Sequence, residues 1–463
     1  MDITEQIRTE RKIGTQEKIL LALRLSGPAI LAQTASIVMQ YIDAAMVGSL
    51  GADASASVGL VASTTWLFGG LMTAAAYGFS VQIAQAVGAG NTRLSRAAFR
   101  TGCFFVLAFS AVLAAAAALL SGPLPAILGA GESIRENASA YFLIFACSIP
   151  CIEFRRYAGA SLQSCGNMRL PGALNALMCL LDVVYNYFFI HPGRRVSLMG
   201  TAVFVPGFGW GVAGAAMGTA LAELTVAVLM LLACRRQREL TADRASSGDK
   251  EKALPILRKA CRIGAPIALE QTALCGAMVV STHIVAPLGS AAIAANSFAI
   301  TAESVCYMPG FGLQQAATTL VGQCYGGGRR DLAKNYAWIS VLLGMGIMSA
   351  AAVVMFAACP AVFAFLTPDP AVRALAAKIL RLELAAEPFY GASIVASGSM
   401  RGAGDTFVPG LMTLVSIWGV RLSLSAVLVG PYGLTGVWAA MLIELVFRGV
   451  IFLTRMRFGK WMK

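Results

Sequence analysis

The sequence predicts an all-α polytopic membrane protein. It should have twelve transmembrane helices in two parallel-repeat six-helix bundles, related by a pseudo-two-fold axis along the membrane normal. Three observations predict this. The chain is 57% hydrophobic and only 13% charged, whereas soluble domains carry about a quarter charged positions. Its apolar residues come in runs long enough for the roughly 20 helical residues that cross a bilayer. Its halves also repeat at one offset of 238 residues, which carries PAILAQTA (Pro28–Ala35) onto PIALEQTA (Pro266–Ala273). Without a gap, the same shift brings MVGSLGADASA (Met46–Ala56) onto IVAPLGSAAIA (Ile284–Ala294), and QAVGAGNTRLSR (Gln85–Arg96) onto QCYGGGRRDLAK (Gln323–Lys334). It also brings SLQSCGNMRLPG (Ser161–Gly172) onto SMRGAGDTFVPG (Ser399–Gly410).

The spans follow in order. The first, 21–47, comes after a charged segment, Met1–Lys18, that lacks the form of a cleavable signal. It contains Pro28 and, about a turn and a half from its outer end, Asp43. The second, 58–86, ends at the glycines of QAVGAG, and the third, 97–121, follows Arg93 and Arg96. The fourth, 136–164, carries Pro150 and Glu153; the fifth, 171–191, opens on Pro171 and holds Asp182 and Asn186; the sixth, 211–233, holds Glu223. The copies are 261–287, 294–324, 335–358, 373–400, 406–429 and 434–454. Continuous Leu, Ala, Val and Met runs exclude a β-barrel, whose strands alternate. The polar stretch 234–254 divides the chain into a first lobe, 1–233, and a second, 255–463, and reads as a cytoplasmic linker. Six crossings separate equivalent helices, so each helix and its copy point the same way. Parallel repeats of this kind characterise alternating-access transporters.

The net charge of +13 reads as topology rather than as a nucleic-acid surface. Lys12 and Lys18 precede the first span. Arg235, Arg236, Arg238, Arg244, Lys250, Lys252, Arg258 and Lys259 crowd the middle segment, while Arg329, Arg330 and Lys334 follow the eighth span. The loops at Gly51, Gly289 and Gly433 carry no Lys or Arg, which predicts both termini to be cytoplasmic. Arg135, Arg194, Arg195 and Arg373 are exceptions in other outer loops. The eleven Cys form no CxxC pair and read as small buried residues. There is no HExxH and only two His, His191 and His283, so a membrane enzyme lacks a catalytic constellation.

Residues shared by the halves, such as Gly88/Gly326 and Gly166/Gly404, serve the architecture. The intramembrane acids are not shared: Asp43 faces Ser281, Glu270 faces Ala32 and Glu387 faces Ile149. An ionisable group in a membrane helix is costly unless it meets water or a partner, so each is a functional candidate. Asp182 and Asn186 stand one turn apart on one helix face and offer two oxygens to Na⁺, or a proton acceptor beside an amide. Asp43 is either part of that site or hydrated at the interface. In the second lobe Glu383 and Glu387 form another same-face pair, read either as a transport site or as partners of Arg381. Glu303 points to the same cleft, and Glu270 either joins it or snorkels. Glu153 is read as pairing with Arg155 and Arg156.

Together these segments resemble the multidrug and toxic compound extrusion (MATE) transporters over nearly the whole chain. The resemblance rests on YIDAAMVGSLG (Tyr41–Gly51), the Gln-x-x-Gly-x-Gly loops (Gln85–Gly90 and Gln323–Gly328), PGFG (Pro309–Gly312) and SMRGAGDT (Ser399–Thr406). It implies a V-shaped pair of six-helix bundles in the plasma membrane, exporting cationic or amphipathic compounds in exchange for H⁺ or Na⁺. The implied partners are the small-molecule substrate and membrane lipid, with no nucleic acid and no cofactor beyond the coupling ion, in a monomer. It further implies that Asp43, with the helix 5 pair, holds the coupling cation. Relatives place the amide first and the acid second, whereas here Asp182 precedes Asn186. Some members use acids of helices 7 and 10 in the second lobe, but the usual helix 7 position is Leu274 here, one turn after Glu270. The competing reading is a lipid-linked saccharide flippase or peptide exporter of related architecture, for which Arg155, Arg156, Arg381, Arg401 and Arg421 would bind a pyrophosphate.

Overall fold

The computed structural model describes residues 14–198, 201–241 and 253–462. Lys12, Arg244, Lys250 and Lys252, and most of the linker, lie outside the described residues. Twelve helical spans follow one another among the described residues. The first lobe has α1 (Thr15–Gly48), α2 (Ala52–Gly88), α3 (Thr92–Ser121), α4 (Glu132–Ser164), α5 (Arg169–Ile190) and α6 (Gly211–Arg236). The second begins with α7 (Ala253–Val285), α8 (Ser290–Gly326) and α9 (Arg330–Leu366). In α10, Pro370–Glu383 and Glu387–Gly402 are joined by a 3₁₀ turn, Leu384–Ala386. Phe407–Leu414 then continues through a π-helical stretch, Val415–Leu422, into Ser423–Phe458. Non-helical Gly433 divides that last helix, leaving α11 before it and α12 after it.

The repeat is visible in these boundaries. α2 and α8 begin and end at positions related by the sequence offset, as do α4 and α10. Gly51 and Gly289 lead into α2 and α8 with φ of 117° and 93°, a backbone that residues with a Cβ rarely adopt. The halves differ after the fifth span. Where the sequence indicates only an outer loop, the first lobe inserts an antiparallel hairpin, β1 (Pro192–Leu198) and β2 (Thr201–Phe208). Phe189, Phe208 and Trp210 cluster at its base, with ring centroids 5.1–5.3 Å apart. After it Gly211 opens α6 with φ 57°, as Gly433 opens α12 with φ 55°.

Among the described residues nine helices are long and apolar enough on their own to cross a bilayer, with Phe407–Phe458 counted as one. α8, rich in Ser, Thr, Gln and Gly, and α10, broken in two, fall outside that measure. Both are supported by their neighbours, since each packs extensively inside the second lobe. Leu119 and Phe365 are 81% and 90% exposed, as expected of side chains that face lipid rather than water.

Each lobe has its own apolar core. Phe79, Phe99, Tyr157, Leu162 and Met230 lie in one, and Phe363, Ile379, Leu380 and Trp438 in the other. The lobes meet along α1, α2, α7 and α8. α2 is buried on every side from Gly78 to Val87, and α8 is buried without a break from Ala316 to Cys324. Toward their opposite ends both helices are buried only intermittently, so the lobes are closed at one end and diverge toward the Gly51 and Gly289 loops. The crossing is tight. A Cβ on Gly88 would lie 1.9 Å from the Gln323 carbonyl oxygen, and one on Gly326 would lie 1.9 Å from that of Gln85.

Candidate functional site: two buried carboxylate clusters

The first-lobe cluster joins α1 to α5. The Asn186 amide nitrogen donates to Asp43 Oδ1 at 2.9 Å and to Asp182 Oδ2 at 3.1 Å. One side chain therefore holds both carboxylates side by side. Asp182 is fully buried and Asn186 nearly so, while Asp43 is half-buried. The helical spacing of Asp182 and Asn186 stacks them, and a glycine on the facing helix makes room. A Cβ on Gly218 of α6 would lie 2.1 Å from Asn186 Oδ1. Asp182 Oδ1 and Asn186 Oδ1 have no hydrogen-bond partner among the described residues. Two carboxylates and one amide thus leave oxygen lone pairs free in a buried setting, which suits a bare cation or a proton.

Below it, Arg155 of α4 pairs with Glu223 of α6 and donates to Asn175 Oδ1 of α5 at 2.8 Å. This corrects the expected Glu153 pairing. Among the described residues Glu153 has no hydrogen-bonded partner on either carboxylate oxygen, because Arg155 turns to α6 and Arg156 donates to Thr73 at 2.8 Å.

The second-lobe cluster brings together Glu303, Glu383 and Glu387. All three are buried, and each offers an oxygen within 4.8 Å of the others. The break in α10 gives the local reason. Pro388 cannot donate to the preceding turn, and the 3₁₀ turn it follows separates Glu383 from Glu387. No carboxylate oxygen of Glu383 or Glu387 has a hydrogen-bond partner among the described residues. Three like charges so close in a buried site repel one another, which favours a proton or a cation among them. Arg381 does not neutralise this pair. Its guanidinium donates to the Phe356 carbonyl at 3.3 Å and lies 4.9 Å from that ring's centroid.

Glu270 joins neither cluster. It forms a buried ion pair with Arg401 at 2.8 Å, linking α7 to α10, so it neither snorkels nor stands with the second-lobe acids. Glu444 is likewise held, by Arg448 at 3.0 Å and the Ser416 hydroxyl at 2.5 Å. Tyr41, two residues from Asp43, donates across the lobe boundary to the Thr301 carbonyl at 2.7 Å, two residues from Glu303.

A chain of two parallel six-helix lobes with unpaired buried carboxylates in each belongs to the class of multi-pass membrane transporters. The MatE family model matches residues 28–188 and 266–427, and the chain belongs to this family, the multidrug and toxic compound extrusion transporters. Among its relatives is the probable multidrug resistance protein NorM of Thermotoga maritima, 26% identical over 97% of this chain and 93% of that protein. The protein of the same name from Deinococcus radiodurans is 29% identical over 97% and 98%. Solved structures with the same fold include a MOP superfamily transporter from Pyrococcus furiosus described as having a binding pocket of reverse polarity. Its TM-score is 0.88 at 19% identity, covering 100% of this chain and 99% of that one. The Vibrio cholerae MATE transporter VcmN gives 0.87 at 17% identity, covering 96% and 97%.

Proposed function

We propose that the protein is a multidrug efflux antiporter of the plasma membrane, exporting organic cations or amphipathic compounds in exchange for H⁺ or Na⁺ by alternating access. The observation that carries this reading is the Asp43–Asn186–Asp182 bridge, a buried group of oxygens that would bind a proton or Na⁺ in competition with a cationic passenger. With the lobes diverging at the Gly51/Gly289 end, the coupling cation enters there, meets Asp43 first and then Asp182, and draws α1 toward α5. Tightening of α1 weakens the hold on the passenger, which leaves. The lobes then rock, and the cation is released on the side of the basic loops, which we take as cytoplasmic along with both termini. Glu303, Glu383 and Glu387 would supply a second cation-dependent centre. Such a cycle requires only that each cation bind one state better than the other.

The rival reading, a carrier of pyrophosphate-linked lipids, is disfavoured by the partners of three of its five arginines. Arg155 and Arg401 are already spent on Glu223 and Glu270, and Arg381 sits on Phe356. The test is efflux of a fluorescent organic cation from cells expressing the wild type, Asp43→Asn or Asp182→Asn, with a proton gradient and a Na⁺ gradient imposed separately. Gradient-driven efflux that either substitution weakens at equal expression supports the reading. Wild-type cells that export nothing under either gradient contradict it.

A further inference from the structure

The Gln-x-x-Gly-x-Gly loops occur once in each half of the chain, and the coupling scheme leaves them without a role. Their glutamines lie at the closed end of the molecule. Gln85 of α2 donates from Nε2 to the Gly402 carbonyl at the end of α10, at 3.0 Å. Gln323 of α8 donates from Nε2 to the Ser164 carbonyl at the end of α4, at 2.7 Å. Both bonds cross from one lobe to the other, and the repeat offset relates both donors and both acceptors. The acceptors are last-turn carbonyls, which a helix end leaves without an intrahelical donor. Gln323 is fully buried and Gln85 is 9% exposed, and Gly88 and Gly326 permit the backbone approach described above.

The two bonds differ in one respect. Lys259 of α7, in the second lobe, donates to Gln85 Oε1 at 3.0 Å, whereas Gln323 Oε1 is buried with no hydrogen-bond partner among the described residues.

We propose that Gln85 and Gln323 form a paired latch holding the lobes together at this end, and that each transport cycle must release both. The proposal rests on the alternating-access reading. A neutral hydrogen bond between side chain and carbonyl is worth about 1 kcal/mol, enough to bias the closed end and weak enough to open in a working cycle. Lys259 makes the Gln85 half the stronger one, so the Gln323 half releases first.

The experiment exploits that asymmetry. Gln85→Glu loses the donor to Gly402 but gains an ion pair with Lys259 across the lobes; Gln323→Glu loses its donor and gains a charge where no donor meets its oxygen among the described residues. The reporter is Ala84→Cys, whose side chain is 1% exposed and lies 3.0 Å from a Cβ built on Gly322 of the other lobe. Its labelling by a membrane-impermeant maleimide is followed in inside-out and right-side-out vesicles, against the background of the eleven native cysteines. Gln323→Glu is expected to raise labelling about fivefold, the population equivalent of one lost neutral hydrogen bond, and Gln85→Glu to leave it unchanged or lower it. Equal rises in the two variants, or no rise in either, overturn the latch. If Gln323→Glu fails to reach the membrane, Gln323→Met, of similar length and without a donor, is expected to give the same rise. In Ala84→Cys/Gly322→Cys, a disulfide across the lobes should stop efflux and a reductant restore it. Undiminished efflux from the crosslinked protein overturns the need for release. A wild type that exports nothing counts against the antiport reading, while the labelling comparison still decides the latch.

Discussion

Asp182→Asn is the sharpest perturbation of the first-lobe cluster, because it removes one charge and almost no volume. The new amide keeps the shape of the carboxylate and can still accept from Asn186 Nδ2, as Asp182 Oδ2 does at 3.1 Å, so packing in the fully buried site is preserved. A cation about 3 Å from one carboxylate, at an effective dielectric constant of about 20, gains roughly 5 kcal/mol. Taking off the cation's own desolvation leaves roughly 3 kcal/mol, or about a hundredfold in affinity. The assay is efflux of a fluorescent organic cation from vesicles as the driving ion is varied. The concentration of the effective ion giving half-maximal rate should rise about a hundredfold, which for H⁺ means a profile displaced about two pH units to acid. Asp43→Asn, at a half-buried position where water screens the charge, should shift it by about tenfold. Melting of the solubilised protein should change by no more than about 2 °C. An Asp182→Asn profile superimposable on the wild type, with efflux intact, would refute the assignment of the coupling cation to this cluster.

Three further predictions test the surroundings. Gly218→Ala puts a methyl group where only 2.1 Å separates it from Asn186 Oδ1, so it should displace the amide and slow efflux about tenfold through overpacking of about 1–3 kcal/mol; unchanged efflux kinetics would show that the amide is not needed in place. Glu270→Ala leaves Arg401 buried and unpaired and should destabilise the protein by about 3–5 kcal/mol, with much of the loss recovered by adding Arg401→Met, as read by thermal unfolding in detergent. Glu387→Gln relieves crowding among the three second-lobe glutamates, so it should raise the melting temperature in cation-free buffer and abolish any rise produced by added Na⁺; a Na⁺ effect equal to that of the wild type would remove this cluster from cation binding.

The sequence carried the architecture because hydrophobic runs and an ungapped repeat are local or strictly periodic signals. The boundaries of α2/α8 and α4/α10 follow the offset, and the glycines expected at helix ends take the backbone that only such residues adopt readily. The Asp182–Asn186 pair was legible because helix pitch alone puts the two on one face. What was not legible came from contacts between distant helices. The Gln motifs are plain in the sequence, but their partners, Gly402 and Ser164, are backbone carbonyls that no side-chain pattern marks. Arg155 has Glu153 two residues away yet pairs with Glu223 on another helix, since helix neighbours two apart face different sides. Glu303 lies eighty residues from Glu383 and meets it only through the packing of α8 on a broken α10. The hairpin escaped notice because it has no copy in the second half.

The most direct test of the account is counterflow in proteoliposomes containing the purified protein and no imposed ion gradient. An outwardly directed gradient of a fluorescent organic cation should drive H⁺ or Na⁺ in the opposite direction in the wild type, and the double variant Asp43→Asn/Asp182→Asn should lose that ion movement. Organic cation leaving the vesicles with no opposing flux of either ion would contradict antiport through the Asp43–Asn186–Asp182 cluster.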